Sequence, residues 1–236
     1  MCMFKSMLLL KDKVFCPNYD SHEDMINETG MEHGPMRENF VRVEITPPDD
    51  DLTVPIDKWK YKVDQDYLPE WYVEEVDKPR CFDALKAWAV KHILVGQDVP
   101  EVKQGEFVVL VNCNTGIVKG TVQKVWGGTV QEVRGGTVQK VWGGTVQEVW
   151  DGGTVQEVRG GTVQKVWGGT VQEVWDGGTV QEVRGGTVQE VRGGTVQEVW
   201  DGTVQKQTGG IVIYADGCIS VCNKNFYRLI TPEEMK

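Results

Sequence analysis

Thr121-Val122-Gln123-Lys124-Val125-Trp126-Gly127-Gly128 opens a run in which Gly-Thr-Val-Gln-(Lys/Glu)-Val-(Trp/Arg)-Gly recurs up to residue 208. The threonines stand at Thr121, Thr129, Thr137, Thr145, Thr154, Thr162, Thr170, Thr179, Thr187, Thr195 and Thr203. Most steps are eight residues, whereas 145 to 154 and 170 to 179 are nine. The extra residue accompanies Trp150-Asp151 and Trp175-Asp176, and Trp200-Asp201 echoes them. Asp151, Asp176 and Asp201 are 25 apart, so the sequence repeats as eight, eight and nine.

A helix is excluded, because each unit carries one or two glycines and three β-branched residues, which together forfeit several kcal/mol of helix propensity over two units. Hairpins would not make every third turn longer. Three short strands joined by glycine corners explain both step lengths. The expected fold is therefore mainly β, a three-sided parallel β-solenoid with 25-residue coils. It is expected to be right-handed, as parallel crossovers usually are. Val122 and Val125 are three apart, so plain alternation would put them on opposite faces. A bend between them turns both inward.

A 25-residue coil stacks Trp126, Trp150, Trp175 and Trp200 on one face and Trp142 and Trp167 on another. Arg134, Arg159 and Arg184 share a third, and Arg192 stands above Trp167. Every Arg of the repeat has Glu two residues before it, and Lys124, Lys140 and Lys165 precede Trp instead. Residues two apart share a strand face, so ion pairs and Lys–Trp contacts are expected on the outer surface. Columns of Trp are costly to leave in water and mark a contact surface. These six Trp and four Arg are the candidate partner-binding residues, and the Trp columns are also a candidate homo-oligomer contact.

The division by composition falls near residue 104. Residues 1–104 are expected to form a small α+β domain that caps the solenoid, 105–230 the solenoid and 231–236 a tail. Val14-Phe15 and the alternating Phe40–Ile45 read as strands. Trp59, Tyr61, Tyr67, Trp71 and Tyr72 read as core. Asp83 is placed as the cap of a helix to about Leu94, with Phe82, Leu85, Ala89 and Ile93 as its apolar stripe. Phe107–Val111 reads as an irregular first coil. Ile211–Tyr214 and Ile219–Val221 read as degenerate continued stacking, closed by Phe226–Ile230.

The chain has 236 residues and a net charge of -10, with 25 Lys+Arg against 35 Asp+Glu. Coating nucleic acid through many phosphate contacts does not fit that balance. Met7-Leu8-Leu9-Leu10 is too short for a secretory or membrane segment. The six cysteines (Cys2, Cys16, Cys81, Cys113, Cys218 and Cys222) lack the density of a disulfide scaffold and suit a reducing cytoplasm. Cys218 and Cys222 form a lone C-x3-C without a second pair, and read as buried thiols rather than a zinc site. Asp20, His22, Glu23 and Asp24 read as a solvated helix start, because their spacing matches no ligand motif. His33 and His92 have no recognisable partners. No catalytic motif, metal site or cofactor is expected, and the chain reads as a non-enzyme.

Leu8–Phe15, Asp20-Ser21-His22-Glu23 and the Trp59–Trp71 stretch, ahead of Thr-Val octads, resemble an uncharacterised group of proteins of gut Firmicutes and their phages. In that group a similar lead domain precedes octads of the Gly-Asn-Ala-Thr-Val kind, from which the Gly-Gly corners here depart. The octads are also similar to bactofilin solenoids, which polymerise end to end. Near-identical units imply recent duplication, which mobile elements tolerate. The function expected is a phage or mobile-element inhibitor that occludes a host protein, such as a CRISPR effector or another defence nuclease, in the host cytoplasm. The alternative is a self-assembling scaffold, with a nucleic-acid mimic or binder ranked below it.

Overall fold

The structure is a computed structural model that describes residues 5–31, 39–223 and 225–235. Met1, Cys2, Met3 and His33 lie outside the described residues. The chain divides into two units, Met1–His92 and Ile93–Lys236.

In the first unit, β1 (Lys5–Leu9), β2 (Val14–Phe15), β3 (Val41–Thr46) and β4 (Lys60–Val63) form an antiparallel sheet in the order β2-β1-β3-β4. Met7, Leu8 and Leu9 are fully buried, as are Val41, Val43 and Ile45, so the apolar run at 7–10 is a core strand. α1 (His22–Thr29) starts at Ser21, whose hydroxyl accepts from the Asp24 N–H at 3.2 Å. It stops at Gly30, left-handed at φ 68°, a common helix ending. α2 (Glu74–His92) begins well before Asp83. Asp77 sets that start: it accepts from the Val73 N–H at 2.9 Å and pairs with Arg80 at 2.6 Å, closing the first turn ahead of Pro79. Cys81, Leu85, Trp88 and Ala89 are its buried face. The aromatic cluster is only partly core: Trp59 is buried, and Tyr67 is exposed.

The second unit is a parallel β-solenoid of about eight turns. β5 (Ile93–Val95) and β6 (Asp98–Val102) pair with β7 (Phe107–Val118), so residues 93–102 belong to the first coil. β8 (Thr121–Val133), β9 (Thr137–Val149), β10 (Thr154–Val158), β11 (Thr162–Val166), β12 (Thr170–Val174), β13 (Thr179–Val183), β14 (Thr187–Val199) and β15 (Thr203–Tyr214) follow, all in parallel register.

That register corrects the coil. Thr121 pairs with Thr137, which pairs with Thr154, and the ladder continues through Thr170, Thr187 and Thr203. These octads make a first wall. Thr129, Thr145, Thr162, Thr179 and Thr195 make the second. A coil is therefore two octads, 16 or 17 residues, and the solenoid has two walls rather than three sides of a 25-residue lap.

The valines explain why. Both Val of every octad are inward, each at 4% exposure or less from Val122 to Val199, as the bend between them requires. An eight-residue side is about 25 Å long at ~3.3 Å per residue, which puts the axis of a triangular prism about 7 Å from each wall. A valine does not reach that far, whereas two sheets packed about 10 Å apart close on valines from both sides. The core is then a column of buried Val, each contributing about 1.5–3 kcal/mol of gross burial.

Glycine corners let the coils stack. A Cβ on Gly178 would lie 2.2 Å from the Val158 carbonyl oxygen of the coil beneath, and one on Gly153 would lie 2.3 Å from that of Val133. Residues 211–214 continue the parallel stack on β14, as expected, whereas residues 219–221 do not. β16 (Ile219–Asn223) turns back antiparallel on β15, and β17 (Phe226–Ile230) on β16.

Candidate functional site: the Trp and Arg columns

With two octads per coil, residues 25 apart stand on opposite walls and residues 50 apart on the same one. The four-Trp column of Trp126, Trp150, Trp175 and Trp200 does not exist. The first wall instead carries Trp126, Trp142, Arg159, Trp175 and Arg192, and the second Arg134, Trp150, Trp167, Arg184 and Trp200. No two Arg are neighbours in either column. A 25-residue coil would have set Arg134, Arg159 and Arg184 directly above one another, like on like at about 4.8 Å.

The columns are continuous ring and guanidinium stacks. Trp126 and Trp142 stack at 5.9 Å between centroids, and Arg159 lies 5.7 Å from Trp142 and 4.6 Å from Trp175. Arg192 continues the column 4.9 Å from Trp175. On the second wall Arg134 is 5.1 Å from Trp150, which stacks on Trp167 at 5.8 Å. Arg184 then lies 5.5 Å from both Trp167 and Trp200. Lys124 sits over Trp126 and Trp142 and Lys165 over Trp167, the Lys–Trp contacts expected from sequence.

The residues two places earlier hold these stacks in place. Arg134 pairs with Glu132 at 2.5 Å, Arg159 with Glu157 at 2.5 Å and Arg184 with Glu182 at 2.8 Å. Arg192 bridges Glu190 at 2.9 Å and Glu173 in the coil beneath at 2.8 Å. The Lys206 ammonium beside Glu190 holds its carboxyl below the usual range, with the Thr208 hydroxyl and Arg192 assisting. Trp150 and Trp175 donate their indole N–H to Glu148 at 3.0 Å and Glu173 at 2.9 Å. Trp167 has Lys165 in that place, and its indole N–H is buried without a hydrogen-bond partner.

The columns are thus largely satisfied along their own length. Trp126, Trp150, Trp167 and Trp175 are half-buried, Trp142 is 41% exposed and Trp200 53% exposed. Among the other exposed apolar side chains, Phe226, Tyr227 and Leu229 stand together on β17, the outermost strand of the sheet, and Val76 and Val90 lie on α2. No sequence signal marked β17 as open, because its outward order depends on where the parallel stack stops.

The other singled-out residues sort differently. Asp20 pairs with buried Lys5 at 2.8 Å. Glu23 and Asp24 are exposed in the first turn of α1, as a solvated helix start implies. His22 departs from them and is buried beside Glu44 and Asp64, a grouping made by strand pairing and invisible in local spacing. Cys218 and Cys222 are half-exposed rather than buried, and Cys81 and Cys113 are the buried thiols. His92 tilts against Trp88 at 4.9 Å. No helix of the described residues is long and apolar enough to cross a membrane. No family model, curated protein or solved structure matches this chain.

Proposed function

We propose that the chain is a non-enzymatic protein-binding module that occludes a host protein, with a phage or mobile-element origin and a cytoplasmic defence nuclease as the target. The observation that carries the binding reading is the set of large apolar side chains left open on an acidic chain: Trp142 and Trp200 on the walls, and Phe226, Tyr227 and Leu229 on the closing strand. Open apolar side chains rimmed by charge are what a protein partner covers. The buried Trp faces no longer serve this reading, because their neighbours already occupy them. The same occupancy disfavours nucleic-acid binding by base stacking, which needs a free ring face. The acidic balance and the near-identical octads support the choice of target.

The tagged full chain, drawn from host lysate, is expected to retain one stoichiometric protein and to inhibit a nuclease activity of that lysate. Retention is expected to fall at least tenfold in a Trp142→Ala/Trp200→Ala/Tyr227→Ala variant. A chain that retains no stoichiometric protein overturns the reading.

A second reading, self-assembly, is favoured by β17 itself, whose outer edge pairs with no described strand and so offers itself to another chain. The antiparallel hairpin prevents a second copy from continuing the parallel coil, so edge pairing gives a closed two-fold dimer rather than a filament. Light scattering after size exclusion decides it, and a monomer at every concentration removes it.

A further inference from the structure

His22 at the start of α1, Glu44 of β3 and Asp64 just past β4 each bring one donor atom to a common spot, all within 4.8 Å of one another. The His22 and Glu44 side chains are each 7% exposed and Asp64 is 38% exposed. His22 Nε2 lies 3.2 Å from the Val43 carbonyl oxygen, which only accepts, so Nε2 carries the proton. Nδ1 is left with its lone pair, facing Asp64 Oδ2 at 3.8 Å. One imidazole nitrogen and two carboxylates thus converge on one spot.

A second observation comes from β1. Ser6 is directly opposite Glu44 in the β1–β3 register, so both side chains stand on one face of the sheet. Its hydroxyl is fully buried and has no hydrogen-bond partner. A buried hydroxyl without a partner costs about 1–3 kcal/mol and marks a place where something polar belongs.

We propose that His22, Glu44 and Asp64 bind a first-row divalent cation of the zinc class. One imidazole nitrogen with two carboxylate oxygens suits such ions, and a ring N–H donated to a backbone carbonyl is the usual support of a metal-binding imidazole. Metal–ligand bonds of about 2.0–2.2 Å place neighbouring ligands roughly 3–4 Å apart. The present spread, up to 4.8 Å, closes by side-chain adjustments of about 1–2 Å, for which Asp64, the most exposed ligand, has the freedom. Lys62 is the resident cation that the metal displaces: its Nζ lies 3.2 Å from Asp64 and 3.6 Å from Glu44 on a side chain 52% exposed. Arg42 is the other positive group bearing on His22 and Asp64.

The test is Zn2+ titration of the metal-stripped full chain against a chromophoric chelator, in a Cys16→Ser/Cys218→Ser/Cys222→Ser background that removes the half-exposed thiols. One equivalent is expected to bind, at least tenfold more weakly in His22→Gln and Asp64→Asn and at least threefold more tightly in Lys62→Met. Asp64→Asn, at a part-exposed position, decides the matter if His22→Gln does not fold. Equal affinity in Asp64→Asn and the parent, or no gain in Lys62→Met, overturns the site.

Discussion

Gly178 and Gly135 occupy corners of the same repeat, yet an added methyl group meets different obstacles at each. On Gly178 it would press 2.2 Å from a carbonyl oxygen of the neighbouring coil, backbone that yields only if two coils part. On Gly135, at φ 75°, it would meet no atom within 4 Å, so only left-handed strain remains, about 1–2 kcal/mol. Gly178→Ala is therefore expected to cost about 3 kcal/mol or more, and Gly135→Ala clearly less. Denaturant melts followed by circular dichroism check this, and equal shifts would refute the stacked-corner account. At the same scale, burial pushes the Cys16 thiol up to about 11, partly offset by Lys5, and the Cys81 thiol up to about 12, partly offset by Tyr61. Both keep their protons when folded at a pH where an unfolded cysteine, near 9.0, has lost them. The stability they supply is full below pH 9 and is lost as pH rises towards 11 and 12. Thermal melts from pH 8 to 11 should fall with a shallower slope in Cys16→Ala and Cys81→Ala. Unchanged slopes in both would contradict the burial.

Along a strand, Thr-Val-Gln-Xaa-Val settles which side chains face in and which face out, and this much could be read directly from the octad. The outward Arg, Trp, Glu and Lys positions were legible for the same reason, as were the Glu–Arg pairs within one strand. What each outward residue meets in the next coil was not legible, because it depends on coil length. Arg159 shows the consequence. It touches Trp142 below and Trp175 above and is half-buried, whereas Arg134 touches Trp150 alone and is more exposed. Cation–π contacts contribute about 0.5–1 kcal/mol at exposed sites and more when desolvated. Arg159→Ala is expected to destabilise by about 1–2 kcal/mol, and Arg134→Ala by about half as much or less. A larger loss in Arg134→Ala would sink the column description. The N-terminal unit was less legible at this scale. Glu23 and Asp24 are exposed in the first turn of α1, as local spacing implies, but His22 answers to β3 and the end of β4, more than twenty residues away in sequence.

For the whole molecule, the repeat made a solenoid legible and concealed its lap. Three octads per sequence repeat and two per coil are independent counts, one set by duplication and the other by how far valine reaches across a core. Every octad carries the same inward pair and a glycine corner, so no residue labels its wall. The added aspartate, read as one special corner, falls on both edges: Asp151 leads from the second wall to the first, and Asp176 from the first to the second. A pair of cysteine substitutions separates the two laps. Thr154 and Thr170 are register partners in adjacent coils, about 4.8 Å apart across the ladder, and the flanking inward valines turn both threonines outward. Thr145 and Thr170, a full sequence repeat apart, stand on opposite walls with the valine core between them. In a background without the half-exposed thiols, a thiol-to-thiol reagent matched to the ladder spacing should join Thr154→Cys to Thr170→Cys rapidly in the folded chain. It should leave Thr145→Cys and Thr170→Cys separate until the chain unfolds. The opposite pattern would restore the three-sided prism, and with it an unbroken column of four tryptophans.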